Sequence, residues 1–372
     1  MHEITRRLVE FWRGDMKAEG LVPLHAPLFR GNEAAYVKDC IDTGWVSSVG
    51  AYVDRFEAML AEITGAAHAI AVVNGTAALQ VCLHLAGVTS GDEVVMPSLT
   101  FVATANAVSH CGATCRFVDV DERTLGLDPA RLDEHLARHR DRPIRAVVVM
   151  HTFGQPADLD ALAEVCARHG VVLIEDAAES LGSSYKGRHT GNHGLLSSLS
   201  FNGNKIVTTG GGGAILTNDA ALARRAKHLT TTAKLPHPYR FDHDEVGWNY
   251  RLPNLNAALG CAQLEALAGY VESKRRLAGR YAALFEGLDG AGMFRETAGA
   301  RSNYWLNALL LERPDEGLVN RVIEEAAAQA IQCRPIWTPM HQLPMYRDCP
   351  RDELPVTESL AARLINLPSG VI

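Results

Sequence analysis

No stretch of this sequence approaches the roughly 18 uninterrupted apolar residues of a membrane-spanning helix, so no membrane partner is expected. Basic charge is not in excess either: 36 Lys and Arg against 43 Asp and Glu leave a formal net charge of -7. Nucleic acids and anionic lipid surfaces both call for a basic face, so neither is an expected partner, and any phosphate must be held locally. The eight cysteines (Cys40, Cys82, Cys111, Cys115, Cys166, Cys261, Cys333 and Cys349) form no spaced framework and follow no secretory signal. In contexts such as "LQVCLHLAG" they read as buried free thiols, which makes the cytoplasm the expected address. Cys111 and Cys115 are four apart, but no second ligand pair at metal spacing accompanies them, and no metal is expected. Internal repeats and low-complexity tracts are absent.

What is present is a chain of 372 residues, long enough for one large domain and a smaller one. Ile4 to Glu19 has a helical pattern, and the Pro-punctuated "LVPLHAPLFRGNE" reads as an extended arm. From about Gly65 short Val- and Ile-rich runs alternate with helical patterns: "HAIAVV", "EVVMPS", "CRFVDV", "RAVVVMHTF" and "VVLIEDAA". This rhythm predicts an α/β fold with a mostly parallel sheet covered on both faces. Beyond Pro253, "LNAALGCAQLEALAGYVESKRRLAGRYAALFEGL" predicts one long amphipathic connecting helix. A strand-like "YWLNALLLE", a helix near Gly317 to Ala330 and a Pro-rich end then suit a smaller α+β unit. The expected division is 1-252 for the arm and large domain, and 253-372 for the connecting helix and small domain.

Ligands in parallel sheets bind outside the carboxyl ends of the strands. Those ends read Asn74-Gly75-Thr76, Pro97 to Phe101, His151 to Gly154, Asp176 to Glu179 and Ser200 to Lys205. Gly75 lets backbone approach a ligand closely, and a helix opening at Thr76 offers free N-H groups to a phosphate; a plain Thr N-cap explains the same residues. Asp176, at the end of a buried strand, needs a partner if it is to stay ionised, such as a protonated ring nitrogen or an ordinary ion pair. Lys205 follows another strand and is either a solvated turn residue or a Schiff-base nucleophile. A phosphate-binding Walker loop fails on order, because Gly210 to Gly213 come after the lysine. Taken together, a helix start for a phosphate, a carboxylate for a ring nitrogen, an aromatic cover at Phe101 and a lysine for an aldehyde match the demands of pyridoxal phosphate.

The motifs "DTGWVSSVGAYVDRFE", "NGTAAL", "PSLTFVATANAV", "HTFGQPADLD", "EDAAESLGS", "SFNGNKIVTTGGGG" and "GWNYRLPNLNAALG" resemble the DegT/DnrJ/EryC1/StrS sugar aminotransferases. That family has the aspartate aminotransferase, or type I, fold of pyridoxal phosphate enzymes. Within it the sequence is most similar to nucleotide-sugar 4-aminotransferases of the legionaminic acid and bacillosamine type. The resemblance implies that Lys205 bonds the cofactor and carries protons, and that Asp176 partners its ring nitrogen. It implies further that Gly75, Thr76, Ala77 and Ser200 hold the phosphate, that Phe101 stacks on the ring, and that Asn249 reaches the phosphate of a neighbouring subunit, hence a homodimer with shared sites. Glu179 stands where many members carry Gln or His near the cofactor's phenolic oxygen. Trp45, Tyr304, Arg334, Trp337 and His341 are implied substrate contacts. The expected activity is ping-pong transfer, by way of pyridoxamine phosphate, from an amino acid such as glutamate to C4 of a nucleotide-linked keto-deoxy sugar. UDP with a 2-acetamido-4-keto-2,6-dideoxyhexose is the first candidate. A sugar 3-dehydratase, whose branch carries His for the lysine, and a non-catalytic binding or regulatory protein are the rival readings.

Overall fold

The computed structural model describes all 372 residues. Its strands in chain order begin with β1 (His68–Val72), β2 (Glu93–Pro97), β3 (Thr114–Val118), β4 (Ile144–Met150) and β5 (Val172–Asp176). The two-residue strands β6 (Ser184–Tyr185) and β7 (Arg188–His189) follow, then β8 (Leu196–Ser200) and β9 (Gly213–Thr217). Seven of them form one sheet in the order β1-β9-β8-β5-β4-β2-β3. Six run parallel; β9 alone is antiparallel to its neighbours β1 and β8. The reversal has a local cause: residues 201–212 contain no helix, so the chain leaving β8 has no crossover and must return directly.

The crossovers elsewhere are helical. After α1 (Glu3–Val9), α2 (Glu33–Thr43) and α3 (Ala51–Thr64) come α4 (Gly75–Leu85), α5 (Val102–His110), α6 (Pro129–Arg138), α7 (Leu159–His169) and α8 (Ala220–Thr230). Alternation along the strands sends successive side chains to opposite faces. Ala69, Ala71, Ala214 and Leu216 therefore pack with Phe56, Leu60 and Phe201 on one side, while Ile70, Val72 and Ile215 pack with Leu79 and Leu83 of α4 on the other.

The predicted connecting helix is α9 (Asn254–Leu284), 31 residues long. It leads to β10 (Ala291–Met293), β11 (Ala300–Arg301) and β12 (Asn307–Leu311), α10 (Glu316–Ala328), β13 (Arg334–Pro335), α11 (Pro355–Ala361) and β14 (Leu364–Leu367). The order β10-β12-β14-β13 makes a small antiparallel sheet, while β11 pairs with β6 at the edge of the large unit. Leu277 and Tyr281 of α9 share a core with Leu309, Leu311, Ile365 and Leu367, and the N-terminal Ile4, Leu8, Phe11 and Trp12 complete it. Trp12 Nε1 donates to the Tyr281 hydroxyl at 3.0 Å. The first helix is shorter than its sequence pattern: it passes into a π turn over Glu10–Asp15, with Gly14 near its end. Arg13 then caps the carbonyls of Ala18, Gly20 and Gln329 and turns the chain away. No helix is long and apolar enough to cross a membrane.

Candidate active site

The carboxyl ends of β1, β5 and β8 converge on a cavity of about 290 Å³. Asn74, after β1, caps α4 by accepting from Ala77 N at 2.8 Å. The cap expected at Thr76 thus falls to Asn74, and Thr76 stands in the first turn, facing the cavity with Gly75. That turn presents N-H groups and the positive end of the helix dipole, the usual seat of a phosphate. Two glycines make the convergence possible. A Cβ on Gly75 would lie 2.9 Å from Ser200 Cβ, and one on Gly213 would lie 2.4 Å from the Asn74 carbonyl carbon. The glycine run after Lys205 therefore brings β9 against the helix start rather than wrapping a nucleotide.

Glu175 and Asp176 end β5 and point to opposite faces of the sheet, which separates their roles. Glu175 accepts from His151 Nε2 at 2.9 Å and from the backbone N-H groups of Gly191, His193 and Gly194. Burial pushes its pKa up, but these donors win and bring it down to about 2. Asp176 faces the cavity, where Oδ2 accepts from Thr104 Oγ1 at 2.8 Å and Oδ1 from Ala178 N at 3.2 Å. Burial raises its pKa; Thr104, the Ala178 N-H and the charge of Lys205 oppose that rise. No basic side chain lies within ion-pair distance of this carboxylate. A buried acid with two neutral donors and a cavity in front of it is suited to a cation supplied by a ligand.

Lys205 lines the same cavity with only 11% of its side chain exposed. Its Nζ lies 3.2 Å from Glu179 Oε1 and 4.1 Å from the centre of the Trp305 ring. The other oxygen of Glu179 accepts from Phe153 N at 2.9 Å. Burial pushes the Glu179 pKa up to about 7, against the pull of Lys205. A carboxyl raised this far by burial can hold a proton, as a group beside the cofactor's phenolic oxygen would need to. Ala77 lies within the first turn of α4, while Ser200, Phe101 and Trp337 line the cavity directly. Phe101 remains 46% exposed at the start of α5 and packs edge-on to Trp337, leaving its ring available as a cover.

Five of the expected contacts lie away from this cavity. Trp45 is exposed, with its carbonyl accepting from Asn254. Tyr304 packs under the Arg275 guanidinium, and its hydroxyl accepts from Glu296 N. Arg334 is exposed on β13. His341 is buried, with Nδ1 and its backbone N-H both engaged with the Ser98 hydroxyl. Asn249 bonds Arg251 and bridges to Thr231 rather than entering its own chain's cavity. Trp305, Thr104, Asn202 and Asn204 were not among the expected contacts, although the two asparagines fall in the Ser200 to Lys205 strand end. Trp305 and the two asparagines line the cavity, and Thr104 lies behind Asp176. Trp305 and Thr104 sit inside regular-looking runs, "YWLNALLLE" and "FVATANAV", where polarity gives no signal, whereas "FNGN" is marked by its place beside the lysine.

These residues fit pyridoxal phosphate: the α4 turn and Ser200 for the phosphate, Asp176 for the ring nitrogen, Phe101 for the ring face and Lys205 for the aldehyde. Such a site, on a seven-stranded sheet with one reversed strand, defines a pyridoxal phosphate-dependent enzyme of the type I fold. The comparisons agree. A putative pyridoxal phosphate-dependent aminotransferase, EpsN, of Bacillus subtilis is 39% identical over 93% of this chain and 90% of its own. A GDP-perosamine synthase of Caulobacter vibrioides is 38% identical over 94% and 93%. The crystal structure of the aminotransferase TlmJ from Streptoalloteichus hindustanus superposes with a TM-score of 0.87 at 30% identity, covering 94% of both chains. The chain belongs to the DegT/DnrJ/EryC1/StrS aminotransferase family, which it matches over residues 28–371. It is therefore a pyridoxal phosphate-dependent enzyme of the aminotransferase family.

Proposed function

We propose that this enzyme transfers an amino group from glutamate to C4 of a nucleotide-linked 4-keto-6-deoxy sugar, for surface-glycan or secondary-metabolite amino sugars. The observation that carries the reading is Lys205 itself, placed with Asp176 at one cavity. The dehydratase branch has His there, and a binding protein has no use for a buried amine beside a titrating carboxylate. Bound in this cavity, pyridoxal phosphate supplies an electron sink for the charge left when a substrate carbon loses its proton.

The chain's residues do the rest. Asp176 keeps a proton on the ring nitrogen. Lys205 Nζ takes the proton from the amine-bearing carbon and returns it at the other end of the transfer, a task that proximity favours by several kcal/mol, on the order of 7 at the strong end. Glu179, whose pKa burial pushes up to about 7, stands 3.2 Å from Lys205 Nζ and would hold or release a proton there. Trp337 lines the same cavity, where it would meet the acceptor. The name of the Caulobacter relative makes GDP the first nucleotide to test, ahead of the UDP-linked 2-acetamido sugar.

The working unit in this reading is a cytoplasmic homodimer. Lys205 is the cavity's one basic side chain, facing Asp176 and Glu179, whereas phosphate, diphosphate and glutamate are all anionic. Tyr239, Phe241 and Val246 are 76–89% exposed, and Lys234, Arg240 and Arg251 lie in the same segment. Docking that segment on a second copy would cover its apolar residues and bring cations, with Asn249, to the other site.

The test is a panel of GDP-, UDP- and dTDP-linked 4-keto sugars incubated with glutamate, with products identified by mass and NMR. Amination at C4 of one of them is expected. Loss of water without nitrogen gain would establish the dehydratase instead, and no conversion with any acceptor would refute the proposal.

A further inference from the structure

Lys205 must be mobile enough to leave a covalent bond yet return to one place to move a proton. Two groups define that place, the Glu179 carboxylate at 3.2 Å and the Trp305 indole face at 4.1 Å from Nζ. They are tied to each other. Asn303 accepts from Trp305 N at 2.8 Å through Oδ1, while its Nδ2 donates to the carbonyls of Glu179 and Leu181, both at 2.9 Å.

The indole is pinned at further points. Its Nε1 donates to the carbonyl of Asn204, the residue before Lys205, at 2.8 Å. The backbone carbonyl of Trp305 accepts from Lys274 Nζ at 3.1 Å, and Lys274 also reaches the Ser369 carbonyl. Lys274 is fully buried in α9 with no carboxylate partner, an arrangement that costs stability and that a methionine would avoid. The loop accepts strain as well: Tyr304, between Asn303 and Trp305, has φ 48°. Gly154 is required beside it, since a Cβ there would lie 1.8 Å from Asn303 Oδ1. This much anchoring is more than an indole needs merely to fill space.

We infer that Trp305 is a positioning residue for Lys205, its indole face acting with Glu179 to hold Nζ at one point of the cavity during proton transfer. The ammonium that Lys205 becomes on taking up a proton is attracted by the indole's negative face, and the hold is strongest where water is excluded. The inference rests on Lys205 being the reacting amine.

Trp305→Leu removes the face, and Trp305→Phe keeps a face while losing the indole N-H. For the leucine variant about a ten-fold fall in kcat is expected in the glutamate half-reaction, with KM within two-fold of wild type. The primary isotope effect with α-deuterated glutamate should rise, because the proton step becomes slower. In the cofactor-free protein, acetylation of Lys205 by acetic anhydride, mapped by mass, should be several-fold faster. Trp305→Phe should restore kcat to within three-fold and return the isotope effect toward wild type. A folded leucine variant with wild-type kcat, isotope effect and Lys205 acetylation would overturn the inference, as would a phenylalanine variant as impaired as leucine. Lys205→Ala separates the two levels. If it turns over normally the assignment of the reacting amine is wrong, whereas an inactive Lys205→Ala beside an unaffected Trp305→Leu removes only the positioning role.

Discussion

Replacing Glu179 with glutamine should make the cofactor-free protein more stable at pH 8 while flattening its response to pH. Glu179 is buried, with one oxygen on Phe153 N and the other on Lys205 Nζ. Burial moves its pKa from an ordinary 4.5 to about 7. Between those values the unfolded chain has released a proton that the folded chain keeps, so stability falls as pH rises from 4.5 to 7. At 1.36 kcal/mol per pH unit the displacement amounts to about 3 kcal/mol above pH 7. Glutamine keeps one acceptor, its Oε1, for Phe153 N and removes the titration, while its NH2 faces Lys205 in place of the ion pair. Since burial outweighs the pull of Lys205 in setting this pKa, the net effect should be a gain. Differential scanning fluorimetry from pH 5 to 8 should show the variant's Tm above wild type at pH 8, by on the order of 5 °C. The two curves should converge toward pH 5. A variant less stable at every pH, with the wild-type slope intact, would mean that Lys205 dominates Glu179 and that the carboxylate is ionised throughout.

Other perturbations address the remaining parts. Asp176→Asn should lower kcat by on the order of 100-fold while cofactor binding, read by absorbance titration, is only partly lost; near-normal rates would remove the ring-nitrogen role. Gly213→Ala places a Cβ against the Asn74 backbone, which cannot yield as a side chain can. It should cost about 1–3 kcal/mol in thermal stability and weaken retention of the cofactor phosphate, whereas wild-type affinity would argue against the α4 turn as its seat. Burial lowers the Lys274 pKa to about 7, so here the unfolded state holds the extra proton and wild-type stability should rise from pH 7 toward 10.5. Lys274→Met should abolish that rise, and a persistent rise would assign it to another group.

The alternation of apolar runs and helical patterns made the parallel sheet legible, because each strand and crossover carries its own periodicity. The reversed β9 was less so: its direction follows from the absence of a helix across residues 201–212, a negative signal inside a motif read for chemistry. Asp176, Ser200 and Lys205 could be placed because ends of parallel strands share one edge. The role of Glu175 emerged only with the fold, which sets it on the opposite face of β5 against His151. Trp305 and Lys274 were invisible in sequence, since they reach the site through contacts between α9 and the loop before β12. Arg334 and His341 were named from a motif alone, and the fold adds only their surroundings: His341 bonds Ser98, and Arg334 is exposed on β13.

The proposed activity requires that Lys205 be the residue that bonds pyridoxal phosphate. The direct measurement is borohydride reduction of the cofactor-loaded enzyme, followed by digestion and mass mapping of the attached group. The account predicts a single phosphopyridoxyl addition, on the peptide containing "SFNGNK" and localised to Lys205, and no such addition when glutamate is supplied before reduction. Attachment at another lysine, or none in a protein that still aminates its sugar, would contradict it.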